Sequence, residues 1–150
     1  IEDTEKYYVR NKKCAHCEMI NWEKEEKRVI IQNKYFVVFA PFVPRVNFEL
    51  RIYPKQHQPN FEKINETEKK YLAEALQKAL YGLYKGLKNP NYNFFIHTAP
   101  CDEKKHDYYH WHIEILPKTN TWAGLELGTG VEVLTIKPEE VAEFLKKYIH

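Results

Sequence analysis

Residues 109–117 constrain the fold more than any other part of the chain. Their polar and apolar side chains alternate, aromatic and β-branched residues are frequent, and a proline closes the run, which predicts a β-strand. Successive side chains of a strand point to opposite faces, so one face should pack on a core. The residues of that face are Trp111, Ile113 and Ile115. The other face carries two imidazoles and a carboxylate, from His110, His112 and Glu114, which a core does not accept without partners.

Four other runs have strand character, at residues 28–32, 35–40, 48–53 and 92–97. The first two flank Asn33 and Lys34, which predicts a hairpin. Short connections favour antiparallel neighbours. We therefore expect one antiparallel sheet of about five strands.

Two helices accompany this sheet in the sequence pattern. Asn65 followed by Glu68 predicts a capping box at the start of a long helix, whose leucines repeat on one stripe. Pro138 predicts the first turn of a C-terminal helix. We predict an α+β domain with both helices on one face of the sheet.

Composition limits the possible classes of protein. A chain of 150 residues with 43% hydrophobic residues is expected to form a single domain, residues 1–150. A net charge of +2, with both signs mixed, gives no basis for binding nucleic acid or an anionic membrane. No apolar run approaches the roughly 18 residues of a membrane span, and no signal-peptide pattern opens the chain. We therefore expect no membrane partner and a cytoplasmic protein.

Cys14 and Cys17 have the spacing of a metal site, with a redox pair or two buried cysteines as the alternatives. A redox motif should lie between a strand and a helix in a βαβ unit, whereas this one precedes the first clear strand. His57 follows the third strand and His110 opens the fifth. Two thiols and two imidazoles form a closed Zn²⁺ site if they converge, so we predict that Zn²⁺ is bound by Cys14, Cys17, His57 and His110.

Several motifs resemble the histidine-triad superfamily and, within it, the galactose-1-phosphate uridylyltransferase family. They are Cys14-x-x-Cys17, residues 54–57 (Pro-Lys-Gln-His), residues 96–100 (Ile-His-Thr-Ala-Pro), His110-Trp111-His112 and residues 123–126 (Ala-Gly-Leu-Glu). Family members contain two such half-domains, and this chain looks like the C-terminal half. The resemblance implies a histidine-triad fold and transfer of a uridylyl group between hexose 1-phosphates through a covalent histidine intermediate.

The resemblance also implies roles for individual residues. His112 matches the nucleophile, while the four predicted zinc ligands match the family's ligands. The expected substrate contacts are His97, Glu114 and Glu126. In some family members, the equivalent of His97 instead binds a metal together with both histidines of the pair. The catalytic half of the family has proline and glutamine where this chain has Trp111 and Glu114, and a carboxylate repels a phosphate unless it is protonated or paired.

Three functions follow as alternatives. The chain is half of a uridylyltransferase-like nucleotidyltransferase, a non-catalytic zinc-stabilised pairing half, or a stand-alone histidine-triad nucleotide hydrolase or phosphorylase. The first implies nucleotide-sugar and sugar-phosphate substrates. It also implies a second histidine-triad half, either upstream in the same chain or in a homodimer. Arg45, Arg51 and Lys55 are the nearest basic residues that could meet a phosphate.

Overall fold

The computed structural model describes residues 2–23, 27–102 and 104–149. In chain order, its elements are α1 (Glu2–Asn11), α2 (Ala15–Glu23), β1 (Val29–Gln32), β2 (Phe36–Phe39), β3 (Leu50–Pro54), a 3₁₀ turn (Phe61–Lys63), α3 (Glu66–Gly86), β4 (Tyr92–His97), β5 (His112–Pro117), α4 (Gly124–Thr129) and α5 (Pro138–Lys146). Among these residues, no helix has the length and apolar character needed to cross a membrane.

The five described strands form one antiparallel sheet in the order β1-β2-β3-β5-β4. The predicted hairpin is confirmed, because β1 pairs with β2 and places Gln32 opposite Val37. β5 runs between β3 and β4, and its His112 lies opposite His97 of the edge strand. This order places the two histidine-bearing strands side by side at one edge of the sheet.

The main core lies between the sheet and the helices α3 and α5. As predicted, Trp111, which precedes β5, and the apolar face of β5 enter this core. The side chains of Trp111, Ile113 and Ile115 are at most 2% exposed. The capping box of α3 is also confirmed, because the Glu68 backbone N–H donates to Asn65 Oδ1 at 2.9 Å. The leucines of the predicted stripe are buried in the core or packed against it, namely Leu72, Leu76, Leu80, Leu83 and Leu87. The fold is therefore α+β, as the sequence predicts.

The opposite face of the sheet carries a second, smaller cluster. Ile20 of α2 packs with Val37, Phe39 and Tyr53, all of which are buried. The expectation that helices cover only one face was therefore wrong. The apolar residues of α2 are spaced too irregularly for the sequence to predict an amphipathic helix. This helix nevertheless fixes the segment that carries both cysteines.

Two predicted strand boundaries also shift, for local reasons. β5 begins at His112 because the Trp111 backbone N–H donates to the Gln58 carbonyl at 2.9 Å, outside the sheet. β3 begins at Leu50 because Phe48 has a left-handed φ of 64°, which a regular strand does not accept. His110 therefore belongs to a connecting segment, yet it is fully buried.

Candidate functional site

Two thiols and two imidazoles converge where the start of α2 meets the sheet. Cys14 precedes α2, Cys17 lies in its first turn, His57 follows β3 and His110 precedes β5. One ligand atom from each residue lies within 4.8 Å of those of the other three. The fold thus brings together the four residues that the sequence predicts as a metal site.

The contacts within this Cys14–Cys17–His57–His110 cluster suit a metal. Cys17 Sγ lies 3.3 Å from His57 Nδ1 and 3.4 Å from His110 Nδ1. His110 Nε2 lies 3.0 Å from the Pro54 carbonyl oxygen, so this nitrogen carries the proton and leaves the Nδ1 lone pair facing the thiol. Two sulfur and two nitrogen donors are the set that closed tetrahedral zinc sites use, and the residues present fit that ion.

Electrostatics favour the thiolate form that a metal requires. Hydrogen bonds, chiefly with Cys17 and also with His110 and His57, hold the pKa of the Cys14 thiol well below its ordinary value, although burial opposes the shift. The hydrogen bond with Cys14 in turn raises the pKa of His57. A deprotonated sulfur among imidazoles is ready to accept a cation.

His16 lies between the two cysteines in sequence but is not one of the four converging residues. Its Nδ1 lies 3.2 Å from the Tyr53 hydroxyl, and its ring centroid lies 5.2 Å from that of His112. Burial, followed by the proximity of His112, lowers the pKa of His16 to about 4, so the ring is neutral near pH 7. His16 therefore separates the cysteine cluster from a second group of side chains around His112.

His112 is held by rings on both sides and by its own backbone. Its ring stacks on Tyr53, with centroids 4.6 Å apart, and on His97, with centroids 4.7 Å apart. His112 Nδ1 lies 3.1 Å from the carbonyl oxygen of His110, to which it donates. This arrangement fixes the ring, with the proton on Nδ1 and the lone pair on Nε2.

Glu114 faces this imidazole and is neutralised by two arginines. Its Oε2 accepts hydrogen bonds from Arg45 and from His97, the latter at 3.0 Å. Its Oε1 lies 3.4 Å from Arg51 Nε and 3.6 Å from His112 Nε2. Burial alone would raise the pKa of this carboxyl, but the proximity of His112 and the charges of Arg51 and Arg45 outweigh it and lower the pKa to about 2.

A cavity of about 590 Å³ lies next to the Glu114 site, and Arg45 belongs to both. The cavity is bounded by the β2–β3 connection, by β4 and by the segment after β5, which contributes Trp122 and Glu126. The Glu126 carboxylate also accepts the Ala123 backbone N–H at 3.1 Å, at the start of α4. Glu126 thus lies in the cavity wall, whereas His112 is not among the lining residues.

His97, His112 and Glu114 also place ligand atoms within 4.8 Å of one another. Two guanidinium groups already contact Glu114, and their charge disfavours a cation there. His110 does not join this set, because its two ring nitrogens face Cys17 and Pro54. A metal shared by His97 and both histidines of the pair does not match this geometry.

The sequence indicates Arg45 and Arg51 as possible phosphate contacts, but Tyr53 and the pairing of both arginines with Glu114 were not predicted. Tyr53 and Arg51 alternate with the buried Leu50 and Ile52, so the two-residue period of β3 would have placed both on the chemical face. Arg45 and most of the cavity wall lie on connecting segments, where no periodicity indicates the direction of a side chain. Of the three basic residues considered, Lys55 lies elsewhere and donates to the Asn33 carbonyl at 2.5 Å.

The family model described as "Scavenger mRNA decapping enzyme C-term binding" matches residues 13–126. Over 98% of its length, the chain is 32% identical to an ADP-glucose phosphorylase of Arabidopsis thaliana, and it covers 41% of that protein. Over 95% of its length, it is 30% identical to a galactose-1-phosphate uridylyltransferase of Thermotoga maritima, and it covers 47% of that protein.

A solved structure described as a uridylyltransferase has the same fold over most of this chain. The TM-score is 0.88 at 34% sequence identity, and the match covers 98% of this chain but 48% of the other. The chain therefore spans about half the length of the relatives that it matches.

Proposed function

Because the chain belongs to the family described as scavenger mRNA decapping enzyme C-term binding, within the histidine-triad superfamily, we propose that it is one half of a nucleotidyltransferase acting on hexose 1-phosphates. The relatives named above act as an ADP-glucose phosphorylase and a galactose-1-phosphate uridylyltransferase. Both names imply a nucleotide sugar and a sugar phosphate. UDP-glucose and ADP-glucose are accordingly the two nucleotide sugars to test.

The way in which His112 is held carries the proposal. Its Nδ1–H donates to the His110 carbonyl at 3.1 Å, and stacking on Tyr53 and His97 prevents the ring from turning. A neutral imidazole fixed in this way offers one nitrogen, Nε2, to an electrophile. Such preorganisation is the main contribution that a protein makes to group transfer between phosphates.

In the proposed reaction, His112 Nε2 attacks the α-phosphorus of the nucleotide sugar. A nitrogen–phosphorus bond forms while the bond from that phosphorus to the hexose 1-phosphate oxygen breaks, and the hexose 1-phosphate leaves with the electron pair. An oxygen of a second sugar phosphate, or of inorganic phosphate, then attacks the same phosphorus. The nitrogen–phosphorus bond breaks and His112 regains its lone pair.

Three acidic or imidazole side chains would contact the substrate in this proposal, namely His97, Glu114 and Glu126. The charge of Glu114 does not exclude a phosphate, since Arg45 and Arg51 pair with it. Glu126 lies in the cavity wall, where a carboxylate oxygen can accept hydrogen bonds from sugar hydroxyls. The cavity volume of about 590 Å³ is in the range of small-molecule sites and suits a hexose phosphate.

Isotope exchange tests this function. The chain is incubated with unlabelled UDP-glucose or ADP-glucose and ¹⁴C-labelled glucose 1-phosphate, and the label is followed into the nucleotide sugar. A covalent nucleotidyl intermediate predicts exchange that requires no second acceptor and that disappears in His112→Asn. Exchange that persists in His112→Asn would contradict the proposed nucleophile.

One observation favours a second function, that of a non-catalytic pairing half. His112 is only 6% exposed, and its Nε2 faces the Glu114 carboxylate at 3.6 Å rather than open solvent. In that case, the nucleophile belongs to the other half and His112 positions the strand. Absence of exchange by this chain, together with exchange by a longer protein that contains it, would support this second function.

Zinc is the metal proposed for the cluster of Cys14, Cys17, His57 and His110. When bound, it would cross-link the start of α2 to the segments that follow β3 and precede β5, and it would take no part in the chemical step. Its support is the donor set and the 4.8 Å convergence of the ligand atoms. The bond from His110 Nε2 to the Pro54 carbonyl is the kind of outer contact that orients a histidine ligand.

Metal analysis of the purified chain tests the zinc site. We expect about one zinc per chain, lost in Cys14→Ser and retained in Cys101→Ser, which alters an exposed cysteine. Chelation should destabilise the parent chain strongly and leave Cys14→Ser unaffected. Equal zinc content in the two serine variants would contradict the assignment of ligands.

The proposed partner is a second histidine-triad half. β4 is an edge strand of the sheet, and its Tyr92, Phe94 and Ile96 are 40–51% exposed on the face of the sheet that α3 and α5 cover elsewhere. Such an edge is suited to pairing with another strand, and the relatives are about twice the length of this chain.

Sedimentation of the wild type and of two matched phenylalanine variants tests this pairing. We expect Phe94→Glu to dissociate the assembly, because it places a charge on the edge strand. Phe42→Glu changes a phenylalanine on the β2–β3 connection that is 69% exposed, against 51% for Phe94, and should have no effect. Wild type and Phe94→Glu that sediment identically would argue against β4 as the pairing edge.

A further inference from the structure

The Glu114 carboxylate has more partners than its charge requires. Arg45 and His97 contact Oε2, while Arg51 and His112 lie 3.4 and 3.6 Å from Oε1. A single arginine and the His97 imidazole would already pair a carboxylate of unit charge. One of the two guanidinium groups is therefore dispensable for keeping Glu114 paired.

Arg51 also pairs with the second buried carboxylate of the site, that of Glu49. Its Nε lies 2.9 Å from Glu49 Oε1, whereas Arg45 Nε lies 3.9 Å from Glu49 Oε2. Both arginines thus join Glu49, which is fully buried, to Glu114, but the Arg51 side chain makes the closer contact with Glu49. If the Arg45 side chain moved away, both carboxylates would keep a cationic partner.

The two arginines differ in their freedom to move. The Arg45 side chain is 51% exposed, against 20% for that of Arg51. Solvent screens the charge of the half-exposed Arg45 more than that of Arg51, so releasing Arg45 costs less than releasing Arg51. Its backbone N–H donates to the Glu49 carboxylate, which would hold the main chain in place while the side chain reorients.

Arg45 also lines the cavity described above, together with Asn93 and Glu126. Carboxamide and carboxylate side chains bind hydroxyl groups, whereas a guanidinium binds a phosphate through two parallel hydrogen bonds. A ligand with hydroxyl groups at one end and a phosphate at the other would match this wall.

We propose that Arg45 is a reorienting phosphate-binding residue, which rests on Glu114 in the free protein and turns to the phosphate of a hexose 1-phosphate when the cavity fills. The identity of this ligand rests on the proposed function. Glu114 competes with the ligand for Arg45, and Arg51 keeps Glu114 paired after the exchange. The carboxylate thereby sets how tightly the phosphate binds.

This competition gives opposite effects for the two partners. Arg45→Gln removes the phosphate contact, so the dissociation constant for glucose 1-phosphate should rise about tenfold or more. Glu114→Gln releases Arg45 and removes a negative charge but keeps a polar group for the proposed substrate contact, so binding should tighten by roughly threefold to tenfold. In the Arg45→Gln background, the same Glu114→Gln change should tighten binding less, since only the charge effect remains.

Isothermal titration calorimetry of the zinc-loaded chain tests the proposal, with glucose 1-phosphate, galactose 1-phosphate, free glucose and inorganic phosphate as probes. Arg45→Gln should weaken binding of both sugar phosphates and leave any binding of glucose unchanged. Arg10→Gln removes the same charge from α1, which does not line the cavity, and should behave as wild type. Circular dichroism and zinc content verify that each variant is folded.

The outcomes separate this proposal from the proposed function. Wild-type binding that is unchanged in Arg45→Gln, or weakened in Glu114→Gln, overturns the Arg45 proposal even if isotope exchange proceeds normally. Absence of sugar-phosphate binding by the wild type also overturns it. If the wild-type chain shows no isotope exchange but Arg45→Gln still weakens sugar-phosphate binding, the proposed nucleophile is overturned instead.

Discussion

Replacing Trp111 by alanine tests the division of the His-Trp-His segment into a packing face and a chemical face. The indole is fully buried, and its ring centroid lies 5.8 Å from that of Phe36 and 5.1 Å from that of Phe61. Its Nε1–H donates to Gln58 Oε1 at 3.1 Å. The substitution therefore removes both apolar packing and a buried hydrogen bond.

The expected cost follows from these contacts. A buried tryptophan removes on the order of 200 Å² from water, which at about 25 cal/mol per Å² corresponds to about 5 kcal/mol. Partial collapse of the cavity reduces the net effect, and tryptophan-to-alanine changes in cores cost about 3–5 kcal/mol. We expect Trp111→Ala to lower the free energy of unfolding by that amount, a large part of the 5–15 kcal/mol typical of a domain.

Urea denaturation followed by circular dichroism measures this change. Trp22→Ala is the matched control, because its side chain lies on α2 and is 72% exposed, and it should cost less than about 0.5 kcal/mol. Equal effects of the two substitutions would refute the packing assigned to Trp111.

Three further predictions concern the frame and the charges of the site. Asn65→Ala removes the capping box of α3 and should cost about 1 kcal/mol in urea unfolding, whereas Asn60→Ala, at a cap without a side-chain bond, should cost almost nothing. Arg28→Met breaks the ion pairs with Glu23, at the end of α2, and with Glu139 of α5, and it should lower the free energy of unfolding by about 3 kcal/mol. Glu139→Gln alters the more exposed partner and should cost less than about 1 kcal/mol. Because the pKa of Glu114 is lowered to about 2, its charge stabilises the folded state above about pH 4.5, and this contribution fades as the pH falls towards 2. Glu114→Gln should therefore lower the melting temperature at pH 7 but not near pH 2.

Much of the sheet could be predicted because hydrophobic alternation determines which face of a strand is buried. The alternation of Trp111, Ile113 and Ile115 with polar residues placed one set in the core and the other at the site. The capping box likewise predicted the start of α3, since it satisfies backbone N–H groups that the first turn of every helix leaves without partners. α1 has no buried residue and α4 has only six residues, so neither carries a clear apolar stripe.

The metal cluster and the cavity differ in how far the sequence predicts them. The chain has few cysteines and histidines, so few combinations of residues could form a metal site. The four predicted residues do converge. The cavity instead depends on the directions of two connections, residues 41–49 and 118–135, which no local pattern specifies. The pairing of Arg45 with Glu114, 69 residues away, is for the same reason visible only in the fold.

The proposed covalent intermediate can be observed most directly by intact-mass measurement of the chain after incubation with UDP-glucose or ADP-glucose. A nucleotidyltransferase half in which His112 is the nucleophile predicts a mass increase of one uridylyl or adenylyl group. The adduct should be labile to acid and stable to base, map to the peptide that contains His112, and be absent from His112→Asn. A folded, zinc-loaded wild-type chain that remains unmodified, or an adduct that persists in His112→Asn, would contradict this account.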